Sequence, residues 1–140
     1  MPKKIFFDAN IIIDLIYADN KLNKQIVFLF DRIRKNKEHL YCSPTTFAIT
    51  YYFLSKTIKN NQLLHEKTKR FFSDFIFTRE DEVIMRKVKK SDFRDLEDAL
   101  QYYSAEDSAV DIIITKNFFD FKPSSIPVYH PLQYISRFLI

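Results

Sequence analysis

Apolar and polar positions along the chain follow two periods, one typical of buried strands and one typical of amphipathic helices. The continuous apolar run Ile5-Phe6-Phe7 predicts a strand over residues 4–8 that is buried on both faces of a parallel sheet. A short helix over residues 10–17 is expected directly after it. The segment 22–35 is predicted to be an amphipathic helix. Its apolar face consists of Ile26, Leu29, Phe30 and Ile33.

Short apolar runs and longer helical patterns keep alternating to the end of the chain. Further strands are predicted at residues 39–43, 110–115 and 124–130. Further helices are predicted at residues 44–56, 62–77, 80–90, within 91–106 and at 131–140, with a turn or short helix at 116–121. This alternation predicts an α/β fold with a central, mostly parallel sheet. No repeat or linker interrupts the pattern, so residues 1–140 are expected to form one domain.

Composition narrows the class of protein. The chain is 46% hydrophobic and 29% charged, which allows a sizeable core inside a protein that stays in solution. We expect a cytoplasmic protein without a membrane segment, because no apolar run approaches the roughly 20 residues of a membrane span and no cleavable leader is evident. The formal net charge of +4 is compatible with a polyanionic partner but does not require one.

Missing residue types exclude several kinds of site. The chain has no glycine, which rules out glycine-rich phosphate loops and the nucleophile elbow of serine hydrolases. The single cysteine cannot form an internal disulfide. Three widely spaced histidines do not match the ligand spacing of a zinc finger or a metalloprotease.

Polar side chains collect where the predicted strands end. They come from three segments: the end of the first strand, the first turns of the helix within 91–106, and the turn after the strand at 110–115. The residues are Asp8, Asp95, Glu97, Asp98, Asn117 and Asp120. In an open parallel sheet, ligands bind at the carboxyl ends of the strands, so these side chains are expected to meet at one edge.

Carboxylates that meet in one place raise one another's pKa and destabilise the fold unless a cation neutralises them. Oxygen ligands without histidine or cysteine favour Mg²⁺ or Mn²⁺. Such a site can activate a water molecule for displacement at phosphorus. The pattern therefore predicts a divalent-cation site with phosphate chemistry.

Each acidic residue also has a purely structural interpretation. Asp8 can cap the helix that follows it, and Asp95 can cap the helix within 91–106 with Asp98 at its third position. The polar residues of 117–120 can be ordinary turn residues. Asp14 is interpreted as a solvated or helix-capping residue and not as a ligand.

The ordered blocks FFDANIIIDL, CSPTTFAITYYF, DLEDALQYYSA, DIIITKNFFDF and IPVYHP resemble the PIN domain, in particular a branch of small bacterial VapC-like proteins. The resemblance runs from residue 4 to about 135. It implies a three-layer α/β/α sandwich with a central, mostly parallel sheet. It also implies a Mg²⁺- or Mn²⁺-dependent endoribonuclease that is often the toxin of a type II toxin–antitoxin pair.

The resemblance assigns roles residue by residue. Asp8, Asp98 and Asp120 match catalytic, metal-binding acids, and Asn117 matches a further metal-binding position. Accessory roles fall to Asn10, Asp95 and Glu97. One position departs from the family pattern, because Ile49 stands where most PIN nucleases carry a glutamate. Asp95 or Glu97 could compensate for that loss.

Basic and aromatic residues are candidates for contacts with RNA. The basic ones are Lys116, Lys122 and Arg94; the alternative is that these are solvated charges. RNA bases could also stack on tyrosine side chains, for which the candidates are Tyr51, Tyr52, Tyr102 and Tyr103. The alternative is that these tyrosines belong to the core, and their helical spacing favours this alternative.

The implied partners are an RNA substrate, a cognate antitoxin and a second copy of the chain. Two other functions stay open. A PIN fold with a depleted acid set could be an RNA- or protein-binding module without activity. An aspartyl-phosphate enzyme or receiver domain would use Asp8 as the phosphorylated group, but Asn10 stands where such phosphatases carry a second aspartate.

Overall fold

The structure is a computed structural model that describes residues 2–17 and 21–139. Its strands are β1 (Lys4–Phe7), β2 (His39–Cys42), β3 (Phe75–Phe77), β4 (Ile112–Ile114) and β5 (Val128–Tyr129). Its α-helices are α1 (Ala9–Tyr17), α2 (Lys21–Lys35), α3 (Pro44–Thr57), α4 (Asn61–Phe72), α5 (Glu82–Lys89), α6 (Leu96–Asp107) and α7 (Pro131–Tyr134). A 3₁₀ helix spans Phe118–Phe121, and α7 continues as a π-helical segment over Ile135–Leu139.

All five strands are parallel and lie in the order β3-β2-β1-β4-β5. The predicted α/β fold is therefore confirmed. The chain starts in the centre of the sheet, adds β2 and β3 on one side, and then crosses to the other side for β4 and β5. This reversal makes β1 and β4 neighbours, and a crevice suited to ligands opens at such a switch point.

Side chains of β1 alternate between two cores because successive residues of a strand point to opposite faces. Ile5 and Phe7 pack into the core formed with α1, α2 and α7. Phe6 packs into the opposite core, against α5, α6 and β4. Both faces of the sheet are covered in this way, which confirms the three-layer α/β/α arrangement.

The prediction of one helix over residues 62–77 was wrong at its end. Helix α4 stops at Phe72, and a turn leads into strand β3 at Phe75. Phe75 pairs with Leu40 of β2 and is buried. Pairing with the sheet therefore determines the conformation of this segment, although its sequence continues a helical pattern. A run of aromatic and β-branched residues is well suited to a strand.

The predicted helix at 131–140 begins at Pro131 as expected and is described as far as Leu139, whereas Ile140 lies outside the described residues. Within the described parts of the chain, no helix combines the length and the apolar character needed to cross a membrane. The single domain over residues 1–140 stays a prediction.

Two helices end in a conformation that glycine usually supplies. Lys37 after α2 and Ala109 after α6 have positive φ values of 57° and 53°. At Ala109, the backbone N–H bonds to Glu106 O, and the next N–H, of Val110, bonds to Ala105 O. These two bonds form a Schellman motif, in which a residue with a Cβ is strained by about 1 kcal/mol.

We expect Ala109→Gly to raise the free energy of unfolding by about 0.5–1 kcal/mol, because glycine adopts positive φ without a steric penalty. Urea unfolding measures the change. Ala48→Gly, at an exposed site inside α3, is the matched control and should lower stability by about 1 kcal/mol. Destabilisation by both substitutions would contradict the interpretation of Ala109.

Candidate active site

Asp8 follows β1 directly and is buried at the carboxyl edge of the sheet. Its backbone N–H donates to Ile114 O at 3.1 Å, which extends the pairing of β1 with β4. Thr115, the first residue after β4, donates its hydroxyl to Asp8 Oδ2 at 2.7 Å. The neighbouring strand therefore fixes the orientation of this carboxylate.

Asn10 links the first turn of α1 to the end of β4. Its Nδ2 donates to Asp8 Oδ2 at 3.1 Å and to Thr115 Oγ1 at 3.3 Å, and its Oδ1 accepts from the backbone N–H of Lys116 at 3.3 Å. Both polar ends of the amide are engaged, so Asn10 acts as a brace for Asp8.

Burial raises the pKa of Asp8, and hydrogen bonds work against that rise. Thr115, Gln101 and the backbone N–H groups of Ala9 and Asn10 all favour the charged carboxylate. Asp8 thus faces the N-terminus of α1, as the capping interpretation proposed, and also the crevice between β1 and β4. The two interpretations are compatible.

Gln101 is a supporting residue that the sequence reasoning missed. It is buried in α6, and its Oε1 accepts from Ala9 N and from Thr46 Oγ1, each at 3.3 Å. Among the described residues its Nε2 has no partner at hydrogen-bond geometry, yet it lies near enough to Asp8 to favour the charged form. Its position three residues after Asp98, on the same helical face, was the available signal.

Asp98 lies in the first turn of α6 and is buried, with 6% of its surface exposed. Asp95 caps this helix by accepting from the backbone N–H groups of Glu97 and Asp98, at 2.8 and 3.1 Å. The predicted cap is confirmed. It leaves the Asp98 side chain directed toward the other acids.

Electrostatics show that the three acidic segments meet. Burial, and then the charges of Asp8, Asp95, Asp120 and Glu97 in that order, raises the pKa of Asp98 to about 7. Partial burial raises the pKa of Glu97, with further contributions from Asp95 and Asp8. Asp98 of α6 therefore lies within electrostatic range of Asp8, at the end of β1, and of Asp120, in the turn after β4.

The turn after β4 completes this edge. The backbone N–H of Asn117 donates to Thr115 Oγ1 at 3.0 Å, and that of Asp120 donates to Asn117 O at 3.0 Å. The Asn117 side chain makes no capping bond to the 3₁₀ helix and is exposed. Asp120 is half-buried, and its charge acts on Asp98.

The donor chemistry of this edge fits a hard divalent cation, since every candidate ligand is an oxygen and the carboxylates repel one another. The ligands are not closed into a metal cage. Over residues 2–17 and 21–139, no three His, Cys, Asp or Glu side chains are grouped closely enough to hold an ion between them. A cation would have to draw Asp8, Asp98 and Asp120 together.

Position 49 on α3 carries an uncharged side chain. Ile49 is half-buried on α3, and the buried polar residues of that helix are Thr46 and Thr50. Thr46 reaches the site through its bond to Gln101. Helix α3 therefore supports the site with hydroxyl groups in place of a carboxylate.

The basic residues predicted to contact RNA differ in their surroundings. Lys116 forms an ion pair with Asp14, so Asp14 lies within α1 as a charge partner and not as a cap. Arg94 is exposed just before α6. The Lys122 ammonium lies 5.7 Å from the centroid of the Phe119 ring. Of these three cations, Lys116 already has its charge balanced.

The sequence profile of the PIN domain family matches residues 4–118, which include β1 through β4 and most of the acidic edge. The chain belongs to the PIN domain family. No functionally curated protein is detectably similar in sequence. The resemblance noted from the sequence blocks is confirmed.

Solved structures share the fold of this PIN domain at low sequence identity. VapBC2 from Rickettsia felis, bound to a DNA fragment from its promoter, matches with a TM-score of 0.68 and 16% identity, over 91% of this chain and 98% of that one. A toxin–antitoxin complex from Klebsiella pneumoniae matches with a TM-score of 0.67 and 21% identity, over 91% and 97%. VapC20 from Mycobacterium tuberculosis, a sarcin–ricin loop cleaving toxin, matches with a TM-score of 0.61 and 12% identity, over 82% and 92%.

The raised pKa of Asp98 predicts that this PIN domain loses stability as pH rises. An acid whose pKa is near 7 when folded and 3.8 when unfolded holds its proton more tightly in the native state. The resulting stabilisation is complete below pH 4 and is lost as pH rises to about 7.

We expect Asp98→Asn, measured in EDTA, to be more stable than wild type at pH 8 by about 1–3 kcal/mol, with little advantage at pH 4. Urea unfolding across this pH range measures the difference. Asp31→Asn, at an exposed site on α2, should follow the wild-type curve. Parallel curves for wild type and Asp98→Asn would contradict the crowding of acids at this edge.

Proposed function

We propose that the protein is a divalent-metal-dependent endoribonuclease and the toxin of a type II toxin–antitoxin pair. The observation that carries the proposal is the placement of Asp8, Asp98 and Asp120 near the switch point of a PIN fold, where burial and the charges of neighbouring acids raise the pKa of Asp98 to about 7. Toxin–antitoxin complexes and an RNA-cleaving toxin among the proteins that share this fold support the assignment.

In this proposal, Asp8, Asp98 and Asp120 hold Mg²⁺ or Mn²⁺, with Asn117 as a further oxygen ligand and Asp95 or Glu97 as accessory acids. A bound cation would supply an activated water and neutralise charge on the scissile phosphate. The Asp8 carboxylate is oriented by Thr115, Asn10 and Gln101 and can direct the attacking water. The N-terminus of α1 adds partial positive charge for a phosphate.

The RNA backbone would be held by Lys122 and Arg94, whose side chains are exposed near this edge. Lys116 is proposed to contribute only when RNA competes with Asp14 for its ammonium group. This order of importance follows from charge balance, since a cation that is already paired gains less from a phosphate than one that faces solvent.

An antitoxin partner is proposed to cover apolar surface away from the acids. A cleft of about 560 Å³ lies between α1, α3 and α4. Ile16, Leu54, Ile58 and Phe71 provide its apolar wall, and Lys67 and Arg70 line it as well. Such a surface fits an apolar segment that carries acidic residues. A second copy of the chain is the other proposed partner.

We expect the purified protein to cleave an end-labelled, mixed-sequence single-stranded RNA in Mn²⁺ and not in EDTA. Asp8→Asn should lower the rate by at least about 100-fold, because loss of groups that merely support a metal ligand already costs about 10–100-fold. Asp31→Asn is the matched control, since it removes an exposed carboxylate from α2. Gel analysis of the products gives the rates.

The same measurements distinguish a nuclease from a binding module without activity. Wild type that neither binds Mn²⁺ nor cleaves RNA, yet still binds RNA or a partner protein, would be a binding module without activity. Calorimetry measures Mn²⁺ binding independently of RNA cleavage.

The product of a short neighbouring gene, co-expressed with this chain, should bind it and inhibit RNA cleavage. Arg70→Glu should weaken that binding at least 10-fold by repelling acidic residues in the cleft. Arg86→Glu, an equal charge reversal at an exposed site on α5, should have little effect. Equal weakening by both variants would show long-range attraction only and contradict a contact at the cleft.

A further inference from the structure

The 3₁₀ helix after β4 exposes two large apolar side chains beside the acids. Its sequence is FFDF, and only Phe121 packs into the core, with 2% of its surface exposed. Phe118 is 46% exposed and Phe119 is 74% exposed. A phenylalanine exposed to that extent forgoes much of the free energy that its burial would supply. The two exposed rings are therefore available to bind a ligand with an apolar face.

These rings belong to the rim of the candidate active site. Asp120 is the next residue after Phe119, and its charge acts on Asp98 across the crevice. Phe121 anchors the turn by packing against Phe93 and other residues of the core beside α6. The turn that carries Phe118 and Phe119 is also fixed at its start, where the backbone N–H of Asn117 donates to Thr115 Oγ1.

Positive charge accompanies the exposed rings. The Lys122 ammonium lies 5.7 Å from the centroid of the Phe119 ring. Phe118 lines two clefts, one of about 300 Å³ that includes Lys122 and one of about 640 Å³ that includes Tyr129 and Arg137. Aromatic faces combined with cations are the arrangement by which proteins bind single-stranded nucleic acid.

We propose that Phe119, with Phe118 beside it, is the stacking platform for a nucleobase of single-stranded RNA next to the cleaved phosphate. Lys122 binds the backbone phosphate of the stacked nucleotide. This assignment rests on the proposed ribonuclease function and deepens it, because it places an unpaired base at a defined side of the site. A duplex cannot present such a base without being opened.

Two of the tyrosines considered from the sequence, Tyr102 and Tyr51, are less suited to this role. Tyr102 is buried in α6, and its hydroxyl donates to Glu106 and contacts Ser125, each at 2.9 Å. Tyr51 is half-buried and bonded to His65. Phe119 combines exposure, a nearby cation and a place in the turn that carries Asp120.

The test uses full-length protein with Asp8→Asn as the common background, so that RNA stays intact. Two fluorescent 12-mers are compared by anisotropy at low salt: oligoadenylate and an abasic strand with the same ribose-phosphate backbone. We expect the background protein to prefer oligoadenylate. Adding Phe119→Ala should reduce oligoadenylate affinity about 5- to 50-fold and leave abasic affinity unchanged, since stacking is worth about 1–3 kcal/mol per base.

Phe119→Trp should retain the preference for bases, because tryptophan offers a larger aromatic face. Lys122→Ala should weaken both strands alike and reduce the salt dependence of binding by about one phosphate contact. Phe28→Ala is the matched control. Phe28 is 38% exposed, with the Arg32 guanidinium 5.8 Å from its ring centroid, on α2 in the other helical layer.

Unchanged discrimination between the two strands in Phe119→Ala overturns the proposal. So does loss of binding to a co-expressed partner protein with RNA binding intact, which would assign the patch to a protein contact. The assay measures RNA binding and not RNA cleavage. Its result therefore does not depend on whether the protein is a nuclease. A chain that cleaves nothing but loses base discrimination in Phe119→Ala still contains the platform.

Discussion

The arrangement on which the rest of this site depends is a buried carboxylate held between two parallel strands. Asp8 lies at the end of β1, and the hydroxyl of Thr115, at the end of β4, donates to it. A carboxylate in such a place is costly to bury, and the hydrogen bonds from Thr115, Asn10 and the first backbone N–H groups of α1 offset part of that cost. The same bonds fix where the acid points. Every other acid is positioned with respect to it.

Convergence of acids stores electrostatic repulsion in the native state. Burial raises the pKa of Asp98 most, and four neighbouring carboxylates oppose its ionisation further. In a protein without a ligand, that repulsion lowers stability. A divalent cation bound between these carboxylates would relieve the repulsion, so the same repulsion would contribute to the affinity for the cation. Local instability and binding capacity therefore have one physical origin at this edge of the sheet.

The absence of glycine changes how familiar structural tasks are carried out. Helices α2 and α6 end with Lys37 and Ala109 in the left-handed conformation, at a cost in strain. The phosphate-binding loops that glycine makes possible are excluded, so a phosphate would have to be held by other groups, such as side chains or a helix N-terminus. Helix α3 likewise lacks the glutamate that most PIN nucleases carry, and other polar groups stand in its place. Thr46 bonds to Gln101, and Gln101 accepts from the backbone N–H of Ala9, so α3 is linked to the start of α1 by hydrogen bonds.

The sequence alone determined the α/β class, the cap at Asp95 and the three acidic segments, because each depends on local spacing and strand ends. It did not reveal strand β3, whose residues continue a helical pattern and become a strand only by pairing with β2. Nor did it reveal the ion pair of Lys116 with Asp14, or the role of Gln101 beneath Asp8. These contacts join residues about 90 to 100 positions apart, and only the order of strands in the sheet brings them together. Exposure of Phe119 was likewise decided by tertiary packing, since the sequence FFDF does not show which ring the core accepts.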